Sequence, residues 1–132
     1  MIIATGLYQG FTALDAMGPD DVLTYLPGAE VVICAENTGV VDDHNDLVHL
    51  RIDHSFADVP RPDVLLVPGG PVAAKYAADG HPIVDWIRDA PPHSSWTTSV
   101  CTGSLLLGAA GLLDGLPATT HWSAYDDLAS YG

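Results

Sequence analysis

The stretch TTSVCTGSLLL, residues 97–107, joins a β-favouring run to a leucine-rich run, and one of the chain's two cysteines lies between them. The pattern predicts a strand over Trp96–Val100 and a helix over Ser104–Leu113. A strand that runs straight into a helix needs a tight turn, which places the residue at its apex over the sheet edge. Ser99 and Gly103 flank Cys101 at −2 and +2, so SVCTG fits a nucleophile elbow with serine in place of the first glycine.

The predicted turn gives Cys101 a possible chemical role. A thiol at the N-terminus of the helix that begins near Thr102 would lie in the favourable field of the helix dipole, so we expect a lowered pKa. The thiolate is the nucleophilic form of cysteine. A buried structural cysteine is the other interpretation, and these residues alone leave both open.

Short apolar runs alternate with helical patterns along the rest of the chain. The predicted strands are Met1–Tyr8, Glu30–Ala35, Asp63–Val67, Trp96–Val100 and Ala118–Thr120, and the predicted helices are residues 18–26, Val72–Ala78, Pro82–Asp89, Ser104–Leu113 and Ser123–Ser130. Residues 40–41 and 47–50 are candidates for a small hairpin. Strands that are apolar on both faces and alternate with helices indicate an α/β fold, a parallel sheet flanked by helices on both faces, in one domain over residues 1–132.

Ligands in such folds bind beyond the carboxyl ends of the strands, and three further features fall there. Gly69 and Gly70 follow the strand DVLLV, where the backbone N–H groups of Gly70 and Thr102 could form an oxyanion hole; an ordinary turn is the alternative. Asp15 lies among apolar residues and could transfer protons, or could simply be an acid at a helix start. His121 follows the last predicted strand, and we assign it a supporting or structural role.

Composition excludes several classes of protein. Four basic residues face 17 acidic ones, for a formal net charge of −13, which argues against nucleic-acid binding by this segment. The longest apolar stretch, residues 105–113, is too short to span a membrane, and the N-terminus lacks the basic flank of a signal peptide, so we predict a cytoplasmic protein. The scattered histidines and aspartates match no known spacing of metal ligands, so no metal is expected.

In combination, LDAMGPDDVL, DVLLVPGG, TSVCTGSLLLGAAGLLDG and ATTHW resemble the DJ-1/ThiJ/PfpI superfamily, which has a flavodoxin-like fold related to class I glutamine amidotransferase domains. The resemblance runs from Met1 to Gly132 and is strongest to the isonitrile hydratase branch, in which an aspartate occupies the Asp15 position and Cys-Thr-Gly forms the elbow. Chains of this superfamily continue beyond the ATTHW helix, so the resemblance implies a domain that is incomplete at its C-terminus.

The resemblance implies a cysteine-dependent lyase that hydrates an isocyanide-like small molecule to an N-substituted formamide. Cys101 would be the nucleophile, Asp15 would transfer the proton, and the Thr102 hydroxyl would assist the attacking water. It also implies a homodimer and no cofactor. Thr102 stands where PfpI-type peptidases carry a histidine, which argues against a peptidase.

Two other functions of the superfamily stay open. The segment could be the ligand-sensing N-terminal domain of an AraC-type transcriptional regulator. A glyoxalase or stress-protection role through the same cysteine is less favoured, because DJ-1-type proteins carry glutamate where Asp15 stands.

The acidic excess generates the first prediction. Self-repulsion at a net charge of −13 is screened by salt, so the unfolding midpoint should rise between about 0.1 M and about 2 M KCl. Thermal melts in a potassium chloride series measure this. A midpoint indifferent to salt would contradict adaptation of the surface to a high-salt cytoplasm.

Overall fold

Five parallel strands form the main sheet of the computed structural model, which describes residues 1–131. The strands of the chain are β1 (Ile2–Gly6), β2 (Glu30–Ala35), β3 (Gly39–Asp42), β4 (His49–Ile52), β5 (His54–Ser55), β6 (Val64–Val67) and β7 (Trp96–Ser99). The main sheet has the order β5-β2-β1-β6-β7, while β3 and β4 pair antiparallel as a separate hairpin. The central strand β1 pairs with β2 and β6, so that Ile3 lies between Val31 and Val64.

Helices lie on both faces of this sheet. They are α1 (Ala13–Leu23), α2 (Ala73–Asp79), α3 (Pro82–Asp89), α4 (Gly103–Ala109) and α5 (Tyr125–Ala129), with short 3₁₀ turns at Phe56–Asp58, Pro91–His93 and Trp122–Ala124. Successive residues of a strand point to opposite faces, and β1 shows this directly. Thr5 bonds to Asp20 of α1 on one face, whereas Gly6 lies against Trp86 of α3 on the other. The flavodoxin-like α/β fold expected from the sequence is therefore confirmed.

Close packing around Trp86 fixes one side of the core. A Cβ atom at Gly6 would lie 2.4 Å from the Trp86 ring, so only glycine lets α3 approach β1 this closely. The ring stacks on Phe56 at a centroid distance of 4.8 Å, and its indole N–H donates to the carbonyl of Val59 at 2.9 Å. Both aromatic residues are buried, so this contact packs α3 against the 3₁₀ turn that follows β5.

Most predicted elements match the structure, including Glu30–Ala35 at both ends and a hairpin formed by residues 39–42 and 49–52. The predicted start of the first helix at Gly18 is wrong, because α1 begins at Ala13 and contains Pro19. Buried Phe11 and Ala16 anchor the earlier start. Proline has no N–H, so the helical bond that residue 19 would give to the carbonyl of Asp15 is absent.

Three predictions near the C-terminus also differ from the structure. The helix predicted to reach Leu113 ends at Ala109, because Gly111 takes a left-handed conformation with φ of +78°. The predicted strand Ala118–Thr120 is irregular, and among residues 1–131 no strand pairs with it. The predicted last helix is divided into a 3₁₀ turn at Trp122–Ala124 and α5.

Among residues 1–131, none of the helices combines the length and the apolar character needed to cross a membrane. The predicted cytoplasmic location stays a prediction.

Asp20 is a buried acid between α1 and β1. Its side chain is 6% exposed, and its Oδ1 accepts a bond from the fully buried Thr5 hydroxyl at 2.6 Å. Its Oδ2 is buried and has no partner among the described residues. Burial raises the pKa of Asp20, against the smaller opposing effect of the Thr5 hydroxyl.

The pH dependence of stability follows from this pKa direction. The folded-state pKa of Asp20 is above its unfolded value. Ionisation of this carboxyl therefore lowers the free energy of unfolding as pH rises from about 4 through the raised pKa. Asp20→Asn removes the ionisation, so its free energy of unfolding relative to wild type should increase as pH rises from about 4 to about 7. Urea unfolding of both proteins at several pH values measures the difference.

The matched control is Asp21→Asn, which removes the same charge from the exposed neighbouring position. An equal pH-dependent gain in both variants would mean that net charge, and not the buried carboxyl, causes the effect.

Candidate active site

Cys101 occupies the turn between β7 and α4, and its φ of +55° is one of two positive values at non-glycine residues in the described chain. A residue with a Cβ in the left-handed region is strained, and such strain persists only where surrounding contacts hold it. Gly103 makes the turn possible, because a Cβ there would lie 2.3 Å from the carbonyl oxygen of Val67. The geometry is that of the predicted elbow, and it leaves the Cys101 side chain partly exposed.

The loop after β6 packs directly on this elbow. A Cβ at Gly69 would lie 2.7 Å from the Thr102 nitrogen and 2.8 Å from the Cβ of Cys101, so no other residue fits there. The Gly69 N–H donates to Asp15 Oδ2 at 3.1 Å, and the Gly69 carbonyl accepts from the backbone N–H of Thr12 at 2.8 Å. The first turn of α1, the β6 loop and the elbow therefore meet at one sheet edge, as their predicted positions at strand ends implied.

Thr102 bridges the elbow to the same loop. Its Oγ1 accepts the Gly70 N–H at 3.0 Å and lies 3.1 Å from the Gly70 carbonyl oxygen, to which the hydroxyl donates. This arrangement corrects the predicted oxyanion hole, because the Gly70 N–H is already bonded to a side chain. Packing also requires glycine at position 70, since a Cβ there would lie 2.5 Å from the carbonyl oxygen of Gly10.

The electrostatics of the thiol differ from expectation. Burial raises the pKa of the Cys101 thiol, and the negative charge of Asp15 raises it further. The backbone N–H and the hydroxyl of Thr102 favour the thiolate and act in the opposite direction, but burial is the largest effect. The predicted lowering of this pKa is therefore wrong: α4 has only seven residues, and the thiol lies against protein and beside a carboxylate.

His121 lies at a 3₁₀ turn, where it accepts from the backbone N–H of Ser123 at 3.3 Å. Its Nδ1 also lies 2.8 Å from Ser123 Oγ, and its ring packs on Trp122 at a centroid distance of 5.3 Å. These contacts are local to the turn, and the supporting or structural role assigned from the sequence stays a prediction. The neighbouring Thr120 contacts the elbow itself, through a bond from its hydroxyl to the Cys101 carbonyl oxygen at 3.2 Å.

Sequence reasoning missed Tyr8. Its buried hydroxyl donates to the carbonyl oxygen of Pro68 at 2.8 Å, which fixes the start of the Gly69 loop. Burial, followed by the charges of Asp15 and Cys101, raises the pKa of Tyr8 well above its usual range, so the hydroxyl stays neutral. The sequence position of Tyr8, just after β1 and at the same sheet edge as the other features, could have identified it as part of the site.

The second cysteine has a different environment. Cys34 is fully buried in β2, its Sγ lies 3.8 Å from the Thr5 carbonyl oxygen, and burial raises its pKa to about 12. Both cysteines are free thiols. Cys34 is a core residue with no access to solvent.

One group of metal-ligating side chains lies outside the elbow region. Ligand atoms of Asp42, Asp46 and His49 are within 4.8 Å of one another in the hairpin. His49 Nδ1 pairs with Asp42 Oδ1 at 2.6 Å, a contact that raises the pKa of this exposed histidine. The histidine and its carboxylate partner thus satisfy each other, and the expectation of no metal stays a prediction.

These features define the class of α/β proteins with a cysteine elbow. The sheet is flavodoxin-like, a partly exposed cysteine lies at a strained strand-to-helix turn, and an acid from the first helix lies beside that cysteine. Comparison with known proteins identifies the family. Residues 2–132 match the DJ-1/PfpI family, and the chain belongs to that family.

Individual relatives agree with this assignment. The chain is 40% identical to isonitrile hydratase of Pseudomonas putida over 126 residues, which are 96% of this chain and 54% of that protein. It is 36% identical over 76 residues to the HTH-type transcriptional regulator CdhR of Pseudomonas aeruginosa, covering 56% of this chain and 21% of the regulator. The structure of a ThiJ/PfpI family protein from Pseudomonas syringae superposes with a TM-score of 0.90 at 35% identity, over 99% of this chain and 54% of that one. The chain thus spans about half the length of these hydratase and ThiJ/PfpI relatives.

The environment of Cys101 predicts its reactivity with alkylating agents. The midpoint of the pH–rate curve for iodoacetamide should lie above that of an ordinary cysteine, since burial and Asp15 disfavour the thiolate. Asp15→Asn removes the carboxylate charge and should move the midpoint to lower pH. Mass spectrometry of the modified peptide, over a range of pH values, gives both curves.

Asp21→Asn again serves as the control for a loss of charge on the same helix. A midpoint for the wild-type thiol below the ordinary cysteine value would contradict the electrostatics described above.

Proposed function

We propose that this chain hydrates isonitriles to N-substituted formamides, with Cys101 as nucleophile and Asp15 as the proton-transferring group. The observation that carries the proposal is the position of Asp15, whose carboxylate is bonded to the Gly69 N–H and acts electrostatically on the thiol at the elbow. The 40% identity to an isonitrile hydratase supports the same chemistry.

The raised pKa of Cys101 is compatible with this role. A thiol that is protonated at rest needs a base beside it, and Asp15 can take the proton as the sulfur attacks. The same proton is then available for the substrate carbon. Addition of a thiol and then water requires no change in oxidation state of the enzyme, so the steps use protein groups alone.

The first step forms a bond between Cys101 Sγ and the terminal isonitrile carbon. The S–H proton passes through Asp15 to that same carbon, which gives a thioimidate, R–N=CH–S, attached to the enzyme. In the second step the oxygen of a water molecule bonds to this carbon, and one water proton passes through Asp15 to the nitrogen, which gives R–NH–CH(OH)–S attached to the enzyme. Collapse of the adduct breaks the carbon–sulfur bond, returns a proton to the sulfur and releases R–NH–CHO.

The neighbouring residues have positioning roles in this scheme. Gly69 holds the Asp15 carboxylate through its N–H, and Thr102 offers its backbone N–H to the sulfur whenever negative charge develops there. The Thr102 hydroxyl is bonded to Gly70 at rest, and we assign to it the assistance of the attacking water. His121 orders the turn that follows Thr120.

The test is formamide production from an alkyl isonitrile, followed by infrared loss of the isonitrile band and by chromatography of the product. Cys101→Ala should lower kcat/KM by roughly a thousandfold or more, because the covalent step is lost. Asp15→Asn, which keeps the shape and removes the base, should lower it by about 10² to 10⁴-fold.

Asp21→Asn should leave turnover at the wild-type level. Formamide production that is unchanged in Cys101→Ala would end the nucleophile assignment.

The alternative proposal is a ligand-sensing domain, supported by the likeness to a transcriptional regulator. A sensor would bind an isonitrile or related small molecule stoichiometrically without turnover. Calorimetric titration of wild-type protein that shows saturable binding, together with no formamide after prolonged incubation, would favour this function. The homodimer stays a prediction for either function.

A further inference from the structure

Two hydroxyl groups converge on the carbonyl of the strained cysteine. The Cys101 carbonyl oxygen accepts from Ser104 Oγ at 3.3 Å and from Thr120 Oγ1 at 3.2 Å. Ser104 is three residues away, in the first turn of α4, so its bond is local. Thr120 is 19 residues away in an irregular segment, and its bond ties that segment to the elbow.

The need for such a bond follows from the backbone. Cys101 has φ of +55°, a conformation that a residue with a Cβ keeps only where neighbours hold the peptide in place. On the strand side, the Val100 N–H is bonded to the Val67 carbonyl at 3.0 Å. On the helix side, the two hydroxyls bond the Cys101 carbonyl and so restrain the peptide that links Cys101 to Thr102.

We propose that Thr120 is a positioning residue whose hydroxyl, by bonding the Cys101 carbonyl, holds the elbow in the strained conformation that keeps the thiol beside Asp15. This rests on the proposed role of Cys101 as nucleophile. Thr120 contacts no reacting atom and acts through the backbone of Cys101.

Loss of this bond has a distinctive expected effect. When the elbow relaxes, the thiol becomes more exposed and moves away from Asp15, and both changes remove what disfavours the thiolate. Tyr8, the other titratable group that interacts with Cys101, is neutral and contributes little charge. The thiol should therefore alkylate at lower pH while catalysis becomes slower.

The experiment compares Thr120→Val, which removes the hydroxyl at nearly constant volume, with Thr120→Ser, which keeps it. For Thr120→Val we expect kcat for an isonitrile to fall roughly fivefold, the effect of one lost neutral hydrogen bond, with KM little changed. The midpoint of the iodoacetamide pH–rate curve should shift to lower pH. Thr120→Ser should restore both values towards wild type.

Thr119→Val is the matched control, because Thr119 is exposed and adjacent. If Thr120→Val fails to fold, Ser104→Ala withdraws the other donor from the same carbonyl and should shift the alkylation midpoint in the same direction. A stable Thr120→Val protein with the wild-type alkylation curve overturns the proposal, whatever its unfolding midpoint. If wild type hydrates no isonitrile, the alkylation curves still decide the role of Thr120, while the proposed function fails separately.

Discussion

The close approach of Gly69 to the peptide between Cys101 and Thr102 is the constraint on which the rest of the site depends. A side chain at position 69 would collide with atoms of both elbow residues. The loop after β6 can therefore lie against the elbow only if residue 69 is glycine. The same residue donates its N–H to Asp15 and accepts from the backbone of Thr12. One small residue thus brings the first helix, the β6 loop and the cysteine turn into a single arrangement.

This packing determines the electrostatic character of the site. Cysteines at helix termini are often activated by a lowered pKa, but here the surrounding protein and the Asp15 charge favour the neutral thiol. Such a site attacks only with help from a base, and the acid that raises the thiol pKa is also the group placed to take the proton. In the proposed reaction, this coupling would deliver the proton and the nucleophile to the same carbon of an uncharged substrate.

The sequence predicted the parts of the structure that depend on periodicity and strand order. β2 was predicted at both ends, and the rule that ligands bind beyond parallel strands correctly grouped Asp15, Gly69 and Cys101. The start of α1 was missed because Gly18 and Pro19 are typical of a helix start, whereas burial of Phe11 and Ala16 fixes the earlier one. The bond from Thr120 to the elbow and the raised pKa of the thiol depend on contacts between residues far apart in the chain, which periodicity does not encode.

The contrast between the two cysteines has a practical consequence. Cys34 is sealed in the sheet with a pKa near 12, while Cys101 stands partly exposed at the turn. In the native protein a thiol reagent therefore meets one site only, and unfolding adds the second. The mean number of labels per chain therefore measures the fraction of chains that are folded, because a folded chain takes one label and an unfolded chain takes two. A fluorophore attached at that single position would also sit at the edge where Asp15, Gly69 and Thr102 meet, and would report directly on whatever enters there.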